Sequence, residues 1–272
     1  MMLFFKKISL LLTCLFAANM LQAQWQQTNG PYGGFIWCIA TDDTDLYAVS
    51  IDGVIYRSHD NGANWTNVSI GITSSSVEAI AISGNNLFAG VDYGGVFLSA
   101  DQGINWTAVS NGLPYTRVNA LAINGGTLFA GTSEHGIFLS NDNGANWIAA
   151  NNGLNNLTVF ALEVIGTNIF AGTNAGVYLS NNNGASWTSG SNGISNQYIR
   201  AFTVSGTNIY ICGDSGEIFL STNNGSDWTL VGDVYYSIAS LTNDGTNVYV
   251  GTNGGGVFSC PINGNTWVPA NT

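Results

Sequence analysis

Positive charge is scarce in this sequence. Its 272 residues contain five lysines and arginines against 16 aspartates and glutamates, and only 8% of the residues are charged. Such a balance repels polyanions, and no basic stripe is present that could neutralise phosphates. We therefore expect no nucleic-acid partner.

Long apolar runs are also absent, except near the N-terminus. There Lys6 and Lys7 precede about a dozen apolar residues, which is the layout of a secretory signal peptide. The run is shorter than the roughly 20 residues that a membrane-spanning helix needs, so we expect no membrane insertion. Cys14 would suit a lipoprotein, but Thr13 before it does not.

We therefore predict a signal peptide over residues 1–23 and an exported domain over residues 24–272. The domain retains three arginines against 16 acidic residues, a formal net charge of −13. It is expected to be secreted, extracellular or at the cell surface, with the periplasm as an alternative.

Residues that form disulfides or bind metals are few. Three cysteines follow residue 23, and an odd number of scattered cysteines does not make a disulfide framework. Cys38 and Cys212 stand where sibling segments have alanine, so each is expected to fill a small site in the core. The two histidines, His59 and His135, cannot make a metal centre alone. No cofactor or metal is expected.

One pattern of eight residues, here called the octet, recurs from a serine to a tryptophan. It reads SHDNGANW at Ser58–Trp65, SADQGINW at Ser99–Trp106, SNDNGANW at Ser140–Trp147, SNNNGASW at Ser180–Trp187, STNNGSDW at Ser221–Trp228 and, altered, SCPINGNTW at Ser259–Trp267. The octet tryptophans, and Trp25 before them, are 39 to 41 residues apart. This spacing indicates one supersecondary unit copied six times.

Each copy contains four short runs of β-branched and aromatic residues, separated by glycine, asparagine, aspartate and serine. Four strands in about 40 residues are typical of one β-propeller blade, and stacked blades bury both faces of each sheet. The sequence predicts an all-β fold, a β-propeller of six four-stranded blades. The inner strands are expected to begin near Phe35, Val77, Val118, Val159, Ile199 and Ile238.

The segment Trp25–Thr28, WQQT, leaves the closure of the ring open. It has the character of an outer strand, yet the last copy already has its own, WVPA. Either the two segments compete for the outer position of the last blade, or the ring is incomplete and a seventh blade is missing, or Trp25–Thr28 covers an exposed strand edge. Six blades are favoured, with a seven-bladed or incomplete ring as the alternative.

The octet itself is predicted to hold a turn rather than to carry chemistry. Its glycine supplies a positive φ angle, and its serine and aspartate oxygens accept hydrogen bonds within the turn. The acidic position is aspartate at Asp60, Asp101 and Asp142 but asparagine at Asn182 and Asn223. An amide still accepts a hydrogen bond but is a poor general acid and a weaker cation ligand, so the role is structural.

The pattern S-x-D-x-G-x-x-W at this spacing resembles the Asp-box, or BNR, repeat of sialidase-like propellers. Stretches such as TNVYVGTNGGGVF resemble the YVTN type of propeller, and the resemblance covers residues 25–272. Sortilin-type receptors, xyloglucan-degrading enzymes and the photosystem II assembly factor carry similar repeats. The resemblance implies that the boxes are structural and lie on the rim opposite the ligand.

The opposite, upper rim is then built from the loops that enter each first strand and those between second and third strands. An acidic, tyrosine-rich surface with isolated arginines can bind a sugar or a peptide, although solubility alone would also select such residues. The predicted ligand-binding residues are Glu78, Asp92, Tyr93, Tyr115, Arg117, Glu134, His135, Tyr198, Arg200, Asp214 and Tyr236. Tyr32, Asp52, Glu217, Asp233 and Tyr235 belong to the same loops.

The aligned position near the start of each inner strand varies from copy to copy. It reads Trp37, Glu78, Asn119, Phe160, Arg200 and Ile238. This variation argues against one sugar pocket per blade and favours a single asymmetric site or a broad protein-binding face. Glu78 and Arg200 are charges among apolar neighbours, so each must be solvated by the channel or paired.

A sialidase-like glycoside hydrolase is the alternative function. The resemblance implies an arginine triad, a tyrosine nucleophile with a glutamate partner, and an acidic proton shuttle. The Phe-Arg-Ile-Pro motif is absent and Arg57 lies at the far rim, which leaves two arginines, with Tyr198 and Glu134 as the nucleophile pair. Xyloglucanase-like hydrolysis would use two carboxylates from Asp52, Asp92, Glu134 and Asp214, but the second propeller of that family is lacking.

A non-catalytic propeller that binds a glycan or protein ligand on its upper face is therefore the leading hypothesis. The sequence gives no indication of an oligomeric state.

Overall fold

A computed structural model describes residues 28–31, 35–42, 44–72, 76–194 and 198–270. In these ranges the chain forms 24 strands, and they make six four-stranded sheets. No helix in this part of the chain is long and apolar enough to cross a membrane. The predicted signal peptide and Trp25–Gln27 lie outside the described residues.

The strands follow one another as six blades. Blade 1 has β1 (Ile36–Thr41), β2 (Leu46–Ser50), β3 (Ile55–Ser58) and β4 (Thr66–Asn67); blade 2 has β5 (Val77–Ser83), β6 (Asn86–Val91), β7 (Gly95–Ser99) and β8 (Thr107–Ala108). Blade 3 has β9 (Val118–Asn124), β10 (Thr127–Thr132), β11 (Ile137–Ser140) and β12 (Ile148–Ala149); blade 4 has β13 (Val159–Ile165), β14 (Asn168–Thr173), β15 (Gly176–Ser180) and β16 (Thr188–Ser189). Blade 5 has β17 (Ile199–Ser205), β18 (Asn208–Gly213), β19 (Glu217–Ser221) and β20 (Thr229–Asp233); blade 6 has β21 (Ile238–Asn243), β22 (Asn247–Thr252), β23 (Gly256–Pro261) and β24 (Val268–Pro269).

Every blade is an antiparallel meander in which spatial order follows chain order. Short turns of glycine, asparagine and aspartate allow this, because each run of strand-forming residues is followed by a residue type that reverses the chain. From blade 1 to blade 6, the first strand of each blade packs against the first strand of the next. The predicted six-bladed, all-β propeller is confirmed.

Each first strand carries a β-bulge near its start, where the pairing with the second strand shifts by one residue. A bulge leaves one residue unpaired and re-aims its side chain. The bulged residues are Trp37, Glu78, Asn119, Phe160, Arg200 and Ala239. The sequence alignment gave Ile238 at the sixth place, which is wrong, because Ile238 pairs with Thr252 and the skipped residue is Ala239.

The core consists of separate hydrophobic clusters between consecutive blades. Between blades 3 and 4, for example, Phe129 and Ile137 pack against Tyr178 and Trp187. Equivalent clusters lie between the other consecutive pairs, so blades 2 to 5 are covered on both faces. The expectation that every blade is covered on both faces is wrong for blades 1 and 6. Among the described residues, no such cluster joins blade 6 to blade 1.

The three cysteines Cys38, Cys212 and Cys260 are free thiols, the first half-buried and the others buried. Burial raises the pKa of Cys38 and of Cys212 to about 12. Thiols held protonated in this way are poor nucleophiles, which agrees with a packing role for these two residues.

The octets lie between the third and fourth strands, where their side chains bond to the backbone of the turn. In blade 3 the buried Ser140 Oγ accepts the Gly144 N–H at 2.9 Å and donates to Asp142 Oδ1 at 2.7 Å. Asp142 Oδ1 also accepts the Asn146 N–H at 2.9 Å. Asn143 and Gly144 have φ angles of 56° and 85°, the left-handed pair that a tight hairpin turn requires. The structural role predicted for the octet agrees with this geometry.

The octet tryptophans also connect neighbouring blades. The indole N–H of Trp147 donates to the carbonyl of Val109 in blade 2 at 2.7 Å, and Trp187 bonds to Ala150 of blade 3 at 2.8 Å. Trp106, Trp228 and Trp267 make the equivalent bond to the preceding blade. In blades 2 to 6 the tryptophan therefore connects its turn to the preceding blade.

The octets use two opposite arrangements of donor and acceptor. In blade 3 the amide of Asn146 donates to the carboxylate of Asp142, and these hydrogen bonds lower the pKa of Asp142. In blade 5 the order is reversed, because the amide of Asn223 donates to the carboxylate of Asp227 at 2.7 Å. In blade 4 the amide of Asn182 donates to the hydroxyl of Ser186 at 2.8 Å. The turn therefore needs an amide donor facing an oxygen acceptor, which can be a carboxylate or a hydroxyl.

We predict that Asn146→Asp lowers the urea midpoint of unfolding at pH 7, because it places two carboxylates side by side. Adding Asp142→Asn restores the midpoint by recreating the arrangement of blade 5. Ser140→Ala should cost about 1–3 kcal/mol, since it leaves the buried Gly144 N–H without an acceptor. Equal loss in the single and double variants at position 146 would contradict this account of the turn.

Candidate functional site

The meander fixes which loops share an end of the ring. Turns between second and third strands, and connections from one blade to the next, lie at one end, here called the upper face. The octets and the turns between first and second strands lie at the other end, the lower face. The separation follows from the alternating direction of antiparallel strands.

The first group of predicted residues surrounds Arg117, just before the first strand of blade 3. Its guanidinium donates to Glu78 of blade 2 at 2.6 Å and lies 3.9 Å from a carboxylate oxygen of Asp92. Glu78 is 7% exposed and also accepts the hydroxyl of Ser76 at 2.8 Å. The charge of Glu78 is thus paired, as its position among apolar neighbours required.

Two tyrosines lie beside this ion-pair group. Asp92 and Tyr93 occupy one turn of blade 2, and Tyr115 and Arg117 occupy the connection into blade 3. The rings of Tyr93 and Tyr115 have centroids 5.2 Å apart and are tilted by 36°. The side chains are 52% and 81% exposed, so the pair forms an aromatic surface that is open to solvent. The structure brings together five predicted residues here: Glu78, Asp92, Tyr93, Tyr115 and Arg117.

A second group spans blades 4 and 5. The guanidinium of Arg200 lies 4.2 Å from the ring centroid of Phe160, and its Nε is 3.2 Å from Asp214. Tyr198 meets the Phe160 ring edge to face at 6.1 Å. Arg200 and Phe160 are both bulged residues, so the bulges direct a cation of one blade onto an aromatic ring of its neighbour.

Asn119, the bulged residue of blade 3, lies between the two groups. Its amide donates to the Val159 carbonyl of blade 4 at 2.7 Å and its oxygen accepts the Ser133 hydroxyl at 3.2 Å. These bonds hold blades 3 and 4 together at the upper face. The sequence analysis identified Asn119 only as the blade 3 residue at the aligned position that varies from copy to copy.

The remaining predicted residues lie elsewhere on the upper face. Tyr236 packs against Phe258 of blade 6, with centroids 5.8 Å apart, and Tyr235 beside it is 85% exposed. Asp233 accepts the Tyr235 N–H at 2.7 Å. Glu134 and His135 are exposed in a turn of blade 3. Asp52 lies in the corresponding turn of blade 1, Glu217 begins β19, and Tyr32 is outside the described residues.

The structure also shows a charged group that the sequence analysis missed. Asp45 of blade 1, whose side chain is fully buried, binds Arg57 at 2.7 Å and also contacts His59. Burial raises the pKa of Asp45, but hydrogen bonds from Arg57 and His59 outweigh it and leave the pKa lowered. Arg57 also donates to Gln102 in the octet of blade 2. This group joins two blades at the lower face.

A second missed residue is Glu163 on the first strand of blade 4. The corresponding positions in other copies carry Ala40, Ala81, Ala122, Thr203 and Thr242. A glutamate at a position that is otherwise alanine or threonine could therefore have been identified from the aligned repeats. Burial raises the pKa of Glu163 to about 7. Within the described ranges, no three histidine, cysteine, aspartate or glutamate side chains lie close enough together to hold a metal ion.

Comparison with known proteins identifies a family. The profile of the DUF6242 beta propeller domain matches residues 12–128 and 156–272. No curated protein sequence matches the chain significantly.

Several solved structures are similar in fold. The extracellular domain of the putative one component system BT4673 from B. thetaiotaomicron is 17% identical, with a TM-score of 0.71 over 85% of this chain and 32% of that protein. The GH74 xyloglucanase from Xanthomonas campestris is 16% identical, with a TM-score of 0.73 over 90% of this chain and 46% of that enzyme. YCF48 bound to D1 peptide is 16% identical, with a TM-score of 0.69 over 91% and 84%. The chain thus spans about a third of the first protein and under half of the second.

Glu163 gives the fold a predictable pH dependence. The folded protein keeps this carboxyl protonated up to about pH 7, whereas the unfolded chain ionises it near its ordinary pKa of 4.5. Stability is therefore lost as pH rises from about 4.5 to 7, by about 1–3 kcal/mol for a partly buried group.

Glu163→Gln should raise the urea midpoint at pH 8 and leave it unchanged at pH 4.5. The exposed Glu134→Gln serves as the control and should show no such pH-dependent gain. A Glu163→Gln effect of equal size at both pH values would contradict the assignment.

Proposed function

We propose that this chain, which belongs to the DUF6242 beta propeller domain family, is an exported binding module that holds a glycan or protein ligand on its upper face without catalysing a reaction. The observation that carries the proposal is the exposed pair Tyr93 and Tyr115 beside the Glu78–Arg117–Asp92 group. Open aromatic rings next to fixed charges provide stacking and oriented hydrogen bonds, which both sugars and peptides use.

The backbone at Tyr93 supports a role beyond packing. Its φ is +50°, the left-handed region, whereas the corresponding residue in the turn of blade 6 is Gly254, with φ +94°. A side chain in this region costs roughly 1 kcal/mol relative to glycine. A bulky, mostly exposed ring is therefore kept at a place where glycine would be more stable, which points to a function for the ring.

The octets are of the Asp-box type in this proposal. Their serine and aspartate oxygens bond to their own turn at the lower face, as at Ser140 and Asp142. Side chains used in this way are not available to a ligand, so recognition is left to the upper face.

The arrangement of the arginines argues against a sialidase-like hydrolase. Arg57 is paired with Asp45 at the lower face, Arg117 with Glu78 between blades 2 and 3, and Arg200 with Asp214 in blade 5. Three arginines in three separate ion pairs do not converge on one substrate carboxylate. The two carboxylates of the first group, Glu78 and Asp92, lie beside the same guanidinium, that of Arg117.

Two features support export. The N-terminal layout of Lys6, Lys7 and the apolar run is that of a signal peptide. The structurally similar BT4673 domain is an extracellular one.

A similar propeller also binds a peptide: YCF48 has a similar fold and was solved bound to the D1 peptide.

A glycan array, a peptide array and a panel of chromogenic glycosides test the proposal together. We expect selective retention on a glycan or a peptide without hydrolysis. Tyr115→Ala should weaken that retention about fivefold, because a stacked aromatic contributes about 1 kcal/mol, while unfolding stays unchanged since the ring is exposed.

Tyr93→Asn is the sharper variant, because asparagine tolerates positive φ. It should bind as weakly as Tyr115→Ala yet unfold at the same or a higher urea concentration. Ile104→Ala, an exposed hydrophobic residue of a lower-face octet, should bind normally. Turnover of any glycoside, or binding that survives both tyrosine substitutions, would refute the proposal.

A further inference from the structure

Two exposed tyrosines occupy equivalent places on the upper face. Tyr235 and Tyr115 are the most exposed large hydrophobic side chains of the described residues, at 85% and 81%. Each lies three residues before the first strand of a blade, Tyr115 before Val118 of blade 3 and Tyr235 before Ile238 of blade 6. Blades 3 and 6 are three blades apart in a propeller of six, so the two rings lie on opposite sides of the upper face.

Each of these tyrosines has a second tyrosine beside it. Tyr115 packs against Tyr93 from the turn of blade 2, and these two residues are here called the first patch. Tyr235 is followed by Tyr236, whose ring packs against Phe258 of blade 6. Tyr235 and Tyr236 are here called the second patch. Exposed aromatic surface that recurs at equivalent places of a repeat is a mark of an interaction site.

One tyrosine of each patch has a left-handed backbone. The φ angle is +50° at Tyr93 and +57° at Tyr235. All other described residues with positive φ are glycines, or the asparagine or glutamine of an octet. Glycine and asparagine tolerate this region, whereas a bulky side chain is strained there. The same strain at both patches, under rings that lie in solvent, points to a use of these rings outside the fold.

The second patch is held against the turn of blade 5. Asp233 Oδ1 accepts the Tyr235 N–H at 2.7 Å, and the Gly216 carbonyl accepts the Val234 N–H at 3.1 Å. A Cβ added to Gly216 would lie 2.9 Å from the Tyr235 nitrogen, so the two segments are in close contact. Glu217 is the register partner of Asp233, which brings a second acidic residue to this place.

The charge of the upper face selects the ligand. Both arginines already have a carboxylate partner, Arg117 in Glu78 and Arg200 in Asp214. An anionic ligand would be repelled by the surrounding carboxylates, whereas a cationic ligand would be attracted and can place its charge over the face of a tyrosine. The described residues of this face include seven acidic residues against two arginines, an excess of five negative charges: Asp52, Glu78, Asp92, Glu134, Asp214, Glu217 and Asp233, with Arg117 and Arg200.

We propose that the ligand of the upper face is a protein segment rich in lysine or arginine, which contacts both patches. This inference rests on the proposed binding function and narrows its ligand from a glycan or a protein to a basic protein. At each patch a tyrosine ring contacts the cation, and a carboxylate beside it, Asp92 at the first patch and Asp233 at the second, provides a charge-assisted acceptor. Because the patches lie on opposite sides of the ring, the ligand must extend across it.

Two matched peptides test the charge requirement. A labelled peptide of Lys-Gly-Lys-Ser repeats is titrated against the full chain by fluorescence anisotropy, beside the same peptide with every lysine acetylated. We expect saturable binding of the lysine peptide that weakens at least tenfold on acetylation, because acetylation removes the charge and the cation–π contact. Added salt should also weaken it. Equal binding of the two peptides would overturn the proposal.

Variants of the second patch test the place of binding. Tyr235→Asn removes the ring with a residue that tolerates positive φ, and Asp233→Asn removes a charge but keeps an acceptor for the Tyr235 N–H. Each should weaken binding of the lysine peptide about threefold to fivefold without lowering the urea midpoint of unfolding. Asp101→Asn removes the same charge from a lower-face octet, where other copies have asparagine, and is the matched control that should bind normally.

The possible failures are distinguishable. Binding of the lysine peptide that neither second-patch variant weakens would reflect the net charge of the domain alone and would overturn the proposal. No binding of the lysine peptide, together with retention on a neutral glycan that Tyr115→Ala weakens, would overturn it and leave the proposed binding function intact.

Discussion

Burial of sheet faces against neighbouring sheets is the constraint on which this structure depends. A four-stranded meander of about 40 residues has two apolar faces and cannot cover either one alone. Phe129 and Ile137 are buried only because Tyr178 and Trp187 of the next blade lie against them. The same dependence explains the exposure of Ile39 and Tyr249, since they carry the residue types of an interface without a described neighbour.

The octets solve a different problem, which is to reverse the chain between a buried third strand and a short outer one. Serine and aspartate oxygens take up the turn N–H groups, and the tryptophan indole reaches the preceding blade. Donor and acceptor can be exchanged, as Asp142 with Asn146 and Asn223 with Asp227 show. Such exchange is expected of a structural motif, because the backbone requires only an acceptor and does not require a charge.

Because the lower face consists of repeated structural turns, the residues of the upper face can differ from blade to blade. The β-bulge of each first strand turns one side chain away from the ladder, and that residue differs in every blade. Glu78 reaches Arg117 across a blade boundary, and Arg200 lies over Phe160 across another. Six similar blades thereby carry an upper face that differs from blade to blade. The side-chain contacts at that face also hold neighbouring blades together.

The sequence by itself determined the blade count, the strands and the place of the octets, because these features follow from local chemistry repeated at a fixed spacing. It also identified Arg117, Tyr93 and Arg200 as residues of one face. Only the tertiary structure decided that Arg117 binds Glu78, that Asn119 joins blades 3 and 4, that Asp45 is a buried partner of Arg57, and that the sixth bulge is Ala239. These facts depend on distances between blades that are about 40 residues apart in sequence, and no local pattern encodes such distances. The sequence left the closure of the ring open, because Trp25–Thr28 reads as a surplus outer strand. The structure shows that Ile39 of blade 1 is exposed and that, among the described residues, no hydrophobic cluster joins blade 6 to blade 1.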